Sequence, residues 1–421
     1  MQVYKFGGLS LKDAVGIKNV TEIILRHRKE NLIVIVSAIG KNTRLLCKYA
    51  ESCFADSAEK EKSYLDFQKN HVEILNELNI REKDEGYDQI MDCILKTGNI
   101  RMDSNFERFS DQVISNGELV SSMILSSYLK KTGTDNQWID IREVLKTDNH
   151  YSQAHVNHEE SLVNAKNIFG KQKGIIISQG FIGRSEEGFT STLGFEGSDY
   201  TATLIGNYLD AEKVIIWKDV PGIMNADPGK YPDAMKIDRI SYEDILNYAH
   251  AGAKVLHPKS IKPARNKNIP LEVKSYRNPQ LAGSLIDEKG SEIKPPVIIV
   301  KKDQAYLRIK CRDFSFILED HLNEIIKLMH KLNISVNLIN INAISVEFSV
   351  DRHDLKIKKL QEEVGKSFQL YLKEKLELWN FFNLPDKSIR DKMDGKKEFI
   401  RIQSGKNCRI LCSSNQNELN I

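Results

Sequence analysis

Three apolar runs constrain the fold most: Leu32–Val36, Gly174–Ile177 and Lys213–Trp217. Each is short and nearly continuous in its apolar residues, and each ends in a turn containing glycine. A strand that is apolar on both faces must be covered on both faces, as in a parallel sheet between helix layers. Gln2–Phe6 reads as a further strand that stops at Gly7-Gly8. Helical patterns lie between these runs. Asp13 is placed to cap one helix, with Val15, Val20, Ile23, Ile24 and Leu25 as its apolar stripe, and Ser57 to Lys131 reads as helix after helix. The predicted class is α/β, a three-layer αβα sandwich with a mainly parallel central sheet. Ligands of such sheets bind beyond the carboxyl ends of the strands. That rule groups Gly7-Gly8, Ser37, Gly180, Gly194–Asp199 and Asp219 in one cleft.

A length of 421 residues predicts two or three domains. A net charge of +3 does not point to nucleic acid as the main partner. The apolar runs are too short to cross a bilayer, and the chain opens on a strand rather than an apolar signal core. Its six cysteines show no paired metal spacing, so reduced thiols, a cytoplasmic location and no resident metal are expected. Composition shifts near Ala282–Pro296, which carries Gly283, Gly290 and Pro295-Pro296. The expected domains are therefore 1–290 and 297–421. The second contains candidate strands Val297–Val300, Tyr306–Ile309, Val336–Ile341 and Ile344–Val350, and helices Leu322–Leu332 and Leu355–Phe368. Shorter strands are expected at Glu377–Phe382, Phe399–Ile402 and Arg409–Cys412, with a polar stretch among them. The pattern reads as a diverged repeat of two small units.

Charged and hydroxyl residues gather at the glycine loops. Lys5 precedes Gly7-Gly8, where backbone N–H groups can approach phosphate oxygens and an ammonium can stabilise a transferring phosphoryl group. No Walker A pattern and no dinucleotide fingerprint is present. Ser37 and Thr43 flank Gly40-Lys41 and either bind substrate or cap a helix. Glu118 is expected in the first turn of a helix, where it either complements the dipole or grips a substrate ammonium. Ser198 reads as the N-cap of a helix through Tyr200–Leu209. Asp199 beside it is placed to orient Lys5 by a charge-assisted bond. Asp219, Asp227 and Lys254 complete the charged set.

Taken in order, Lys5-Phe6-Gly7-Gly8, Thr192-Leu193-Gly194-Phe195-Glu196-Gly197-Ser198-Asp199, Trp217-Lys218-Asp219-Val220, Asp227-Pro228 and Lys254-Val255-Leu256-His257-Pro258 resemble the aspartate kinase family, of monofunctional bacterial type, within the amino-acid kinase superfamily. The resemblance implies transfer of the ATP γ-phosphoryl group to the side-chain carboxylate of L-aspartate, giving 4-phospho-L-aspartate. It implies Lys5 and Asp199 as the catalytic pair and Ser37, Thr43, Glu118 and Ser198 around aspartate. Around ATP it implies Gly7, Gly8, Ser10, Lys218, Asp219, Asp227, Lys230 and Lys254. Mg2+ would come with ATP. It further implies tandem ACT-like α+β domains in the last third, a lysine or threonine effector bound there, and a homodimer.

The chain departs from the family pattern at several points. Phe195 stands where the family has an arginine that grips the α-carboxylate of aspartate, and Leu9 replaces a threonine. Gly229 replaces an arginine, with Lys230 next to it, and Asn342-Ala343 departs from the usual effector pocket. Two other readings follow from these departures: a degenerate binding or regulatory relative, and an amino-acid kinase for a different acid.

Overall fold

The computed structural model describes residues 1–27, 31–253, 255–313, 315–365 and 367–413. The chain divides into two compact units. The first comprises Met1–Ile223, Lys236–Ile245 and Val255–Ser291; the second comprises Met224–Met235, Leu246–Lys254 and Glu292–Ile421.

The first unit is built on eight strands: β1 (Gln2–Phe6), β2 (Asn31–Val36), β3 (Gln137–Trp138), β4 (Gly174–Gln179), β5 (Lys213–Lys218), β6 (Arg239–Ser241), β7 (Leu271–Ser275) and β8 (Ser284–Asp287). Their order across the sheet is β6-β8-β7-β5-β1-β2-β4-β3. Six strands from β7 to β3 are mutually parallel, while β8 pairs antiparallel with β7. Every residue of β1 and β2 is buried except Asn31, which is partly so. Both faces are therefore covered, as the continuous apolar runs require. Phe6 and Trp217, partners across β1 and β5, stack with ring centroids 5.8 Å apart.

Four helices matter for the site: α1 (Ala14–His27), α2 (Asn42–Phe54), α3 (Phe106–Lys131) and α4 (Gly197–Tyr208). Asp13 caps α1 as expected, accepting the Gly16 N–H at 2.7 Å. Two expectations change. Glu118 lies in the middle of α3, not in a first turn, because Asn105 supplies the cap through Arg108 N–H. Gly117 does not break α3; a Cβ there would lie 3.1 Å from Ala38 Cβ, so the glycine permits close packing. Ser198 is not a cap either. Glu196 occupies that position with φ +54°, and Ser198 is the second residue of α4.

The second unit is α+β. Its six-stranded antiparallel sheet is centred on two fifteen-residue strands, Val297–Cys311 and Phe368–Phe382, which pair along their length through a register shift near Gln304. The segments Val297–Val300 and Tyr306–Ile309 are thus one strand, and Glu377–Phe382 is the end of another. One half adds helices Glu319–Lys331 and Asp354–Val364 with strands Val336–Asn342 and Ser345–Asp351. The other adds Asp386–Met393, a helix within the polar stretch, and strands Glu398–Ser404 and Asn407–Ser413. Two ACT-like halves therefore share one sheet. Their cores are separate: Phe348, Ile325 and Leu360 anchor one, and Phe381, Ile389 and Ile410 the other.

Candidate active site

The carboxyl ends of β1, β2, β4 and β5 lie level, because Phe6 pairs with Val36 and Trp217, and Val36 with Gln179. Sequence order reverses at β1, whose neighbours are β2 and β5, so the cleft forms at the switch point of the sheet. A cavity of about 590 Å³ opens there, lined by Lys5, Ser37, Thr43, Glu118, Ser198, Asp199 and Lys218 among others.

Asp199 is the electrostatic centre. Its Oδ1 lies 2.6 Å from Lys5 Nζ and its Oδ2 lies 3.1 Å from Lys218 Nζ. Burial alone would raise its pKa, but the two ammonium groups hold it down to about 2. Lys218 is mostly buried, which disfavours its charge, yet Asp199 and Glu196 keep it above the usual lysine value. Its Nζ also donates to the Val255 carbonyl. Two ammonium groups held at the cleft by one buried carboxylate can meet an anionic ligand.

Close approach of backbones builds this geometry. A Cβ on Gly180 would fall 2.6 Å from Ser198 Cα, and one on Gly8 would fall 2.5 Å from the Ala38 carbonyl oxygen. Glycine at these positions lets α4 and the Ser37–Gly40 loop close over the strand ends. Phe181 has φ +75°, a strained conformation for a bulky residue. Thr201 Oγ1 accepts its N–H, and its carbonyl accepts the Leu193 N–H, which hold it there.

Glu118 faces the same cavity and is 2% exposed. Its Oε2 has no hydrogen-bond partner among the described residues. Burial raises its pKa to about 8, against the opposing effects of the Ala38 backbone N–H and Lys5.

The other predicted residues are placed as follows. Gly7 borders the cleft, since a Cβ there would come 3.5 Å from Lys5 Nζ. Ser10 is buried, and its hydroxyl donates to the Gly7 carbonyl at 2.6 Å, fixing the turn. Asp219 is exposed beside Lys218, 4.0 Å from Arg277. Asp227 and Lys230 are exposed and belong to the second unit; Asp227 caps its own turn by accepting the Gly229 N–H. Lys254 lies outside the described residues. Phe195 is 80% exposed at the cleft, touching the His257 ring edge to face.

The structure adds residues that sequence reasoning missed. Asp111 is buried in the cleft wall, where its Oδ2 accepts the N–H groups of Ser152 and Thr192 and its Oδ1 accepts the Thr192 hydroxyl. Burial lifts its pKa to about 6, despite those bonds. Nothing in the local sequence marks it, because its partners lie 41 and 81 residues away. Glu196 was visible only as a loop residue; its Oε2 accepts the His257 N–H at 2.7 Å and ties the loop to the start of the helix Pro258–Asn266.

Residues 1–275 match the amino acid kinase family. The chain is 31% identical over 356 residues to lysine-sensitive aspartokinase 3 of Escherichia coli (strain K12), across 83% of this chain and 78% of that protein. It is 28% identical over 384 residues to the chloroplastic aspartokinase 2 of Arabidopsis thaliana, across 86% and 69%. Among solved structures, E. coli aspartokinase III in complex with aspartate and ADP (R-state) aligns with TM-score 0.83 and 26% identity, over 98% of this chain and 96% of that one. The same enzyme in complex with lysine and aspartate (T-state) aligns with TM-score 0.79 at 26% identity, over 98% and 95%.

Proposed function

Because the chain belongs to the amino acid kinase family, and within it to the aspartokinases, we propose that this cleft transfers the ATP γ-phosphoryl group to the β-carboxylate of L-aspartate. The observation that carries the reading is Asp199 gripping Lys5 and Lys218, with the unpartnered Oε2 of Glu118 facing the same cavity.

The acceptor carboxylate is already ionised at neutral pH and attacks phosphorus directly. The bond from the γ-phosphorus to the bridging oxygen breaks, and ADP leaves as an anion. No proton moves, so the site needs no general base; it needs in-line positioning and neutralised charge. Lys5 is assigned to the transferring phosphoryl group, and Asp199 holds it there. Lys218 adds positive charge from the neighbouring strand, and Gly7 leaves room for phosphate oxygens beside Lys5. Mg2+ arrives with ATP, held mainly by its phosphates. Glu118 is assigned to the substrate ammonium, with Ser37, Thr43 and Ser198 as hydrogen-bond partners. Asp219, Asp227, Lys230 and Lys254 remain the nucleotide-side assignments that resemblance suggests.

Phe195 supports one competing reading, a less polar acid as acceptor, because a phenyl ring cannot bind a carboxylate in two-point fashion. For the second unit we propose an amino-acid effector, L-lysine first, because the bacterial relative is lysine-sensitive. A homodimer and a cytoplasmic location complete the proposal. The six unpaired thiols fit a reducing compartment, and no helix among the described residues is long and apolar enough to cross a membrane.

Lys5→Ala tests the reading. Asp199 retains Lys218, so the chain should stay folded while kcat falls about 100-fold or more. Unchanged turnover in the folded variant would remove Lys5 from the mechanism.

A further inference from the structure

The loop after strand Lys146–Thr147 carries a cluster that phosphoryl transfer does not use. Asp148, His150 and His155 each offer one ligand atom, all within 4.8 Å of one another. His150 Nδ1 and His155 Nδ1 both stand 2.8 Å from the same oxygen, Asp148 Oδ2. The other oxygen, Oδ1, accepts the backbone N–H groups of His150 at 3.2 Å and His155 at 2.9 Å. The Asp148 N–H donates in turn to the His155 carbonyl at 3.0 Å. The backbone thus orients the carboxylate through Oδ1, while Oδ2 is hydrogen-bonded to both imidazoles, which a metal ion would bridge in place of those protons.

That convergence is not imposed by packing, since the two histidine side chains are 76% and 75% exposed. The rings lie edge to face with centroids 5.6 Å apart, and the site is open for entry of an ion and for completion of its shell by water. Two imidazoles and a carboxylate suit zinc and its first-row neighbours, whereas Mg2+ and Ca2+ favour oxygen ligands. The expectation of no resident metal rested on cysteine spacing, which says nothing about this cluster.

The loop also forms a wall of the cleft. Ser152 N–H donates to Asp111 Oδ2 at 2.8 Å, and Ala154 N–H donates to the Thr192 carbonyl at 2.9 Å. A Cβ on Gly194 would come within 3.4 Å of the Ser152 carbonyl oxygen, so the segment leading to Phe195 rests on this loop. We propose that Asp148, His150 and His155 bind one transition-metal dication, best matched by Zn2+, and that the bound ion stiffens the cleft wall from Asp148 to His155.

The test uses Co2+ as a spectroscopic probe and Zn2+ as competitor on the full chain, with no turnover required. The expected result is one Co2+ per chain with visible ligand-field bands, displaced by Zn2+. A His150→Gln/His155→Gln double variant should bind about tenfold or more weakly, while His353→Gln, at another exposed histidine, should bind as the parent does. Equal binding by the double variant, or no binding at millimolar Co2+, overturns the site. Hydrogen exchange at the Ser152 and Ala154 amides should slow on adding Zn2+ to the parent alone; unchanged exchange overturns the stiffening.

Discussion

Glu118 and Asp199 are both buried carboxyl groups on the same cleft, yet their pKa values diverge. Asp199 has two ammonium partners and is held at about 2; at Glu118 burial outweighs the Ala38 N–H and Lys5, and its pKa rises to about 8. Glu118 is therefore protonated at neutral pH until a cation arrives. An incoming substrate ammonium would supply that cation, so binding at pH 7 should release a proton from Glu118. Aspartate affinity should strengthen as pH rises from 7 toward 8. The stability effect has the opposite direction. A carboxyl raised in the folded state favours folding below its unfolded pKa of about 4.3, and that contribution is lost as pH rises through 8. Glu118→Gln should therefore raise the aspartate KM well above its effect on the ATP KM, while raising Tm at pH 9 by about 2 °C. Parallel pH titrations of KM and Tm check both; equal KM effects would contradict the substrate role.

At the level of elements, the site depends on how closely α4 approaches the end of β4. Gly180→Ala would place a methyl group 2.6 Å from Ser198 Cα, so the first turn of α4 must move and carry Asp199 with it. The expected outcome is about 1–3 kcal/mol of destabilisation with a fall in kcat. Denaturant titration beside kinetics checks it, and a fully active, equally stable variant would contradict this account of the glycine. The strands of the parallel sheet were legible because continuous apolar runs have few alternatives. The middle of α3 was not, since Gly117 looks like a break until Ala38 is seen packed against it. Likewise, Val297–Val300 and Tyr306–Ile309 read as two strands because Lys301, Lys302, Asp303 and Gln304 interrupt the apolar pattern, whereas ladder pairing resumes beyond the shift. The cleft was largely legible through its glycine loops. Asp111 was not, because only tertiary contacts give it a role.

At the level of the molecule, one unit carries the cleft and the other carries two ACT-like halves on a shared sheet. If the second unit binds an amino-acid effector, L-lysine at millimolar concentration should lower turnover by about tenfold, and a chain lacking sensitivity to lysine and threonine would contradict that assignment. The central claim is the chemistry of the cleft. It is tested most directly by ADP release from Mg-ATP with L-aspartate, L-glutamate or no acceptor, on the parent chain and on Phe195→Arg. Phe195 is 80% exposed, so arginine can replace it without disturbing a core. The account predicts aspartate-dependent ADP release in both proteins, with an aspartate KM lower by about tenfold in the variant, the value of one charged hydrogen bond. ADP release that never depends on aspartate in either protein would contradict it.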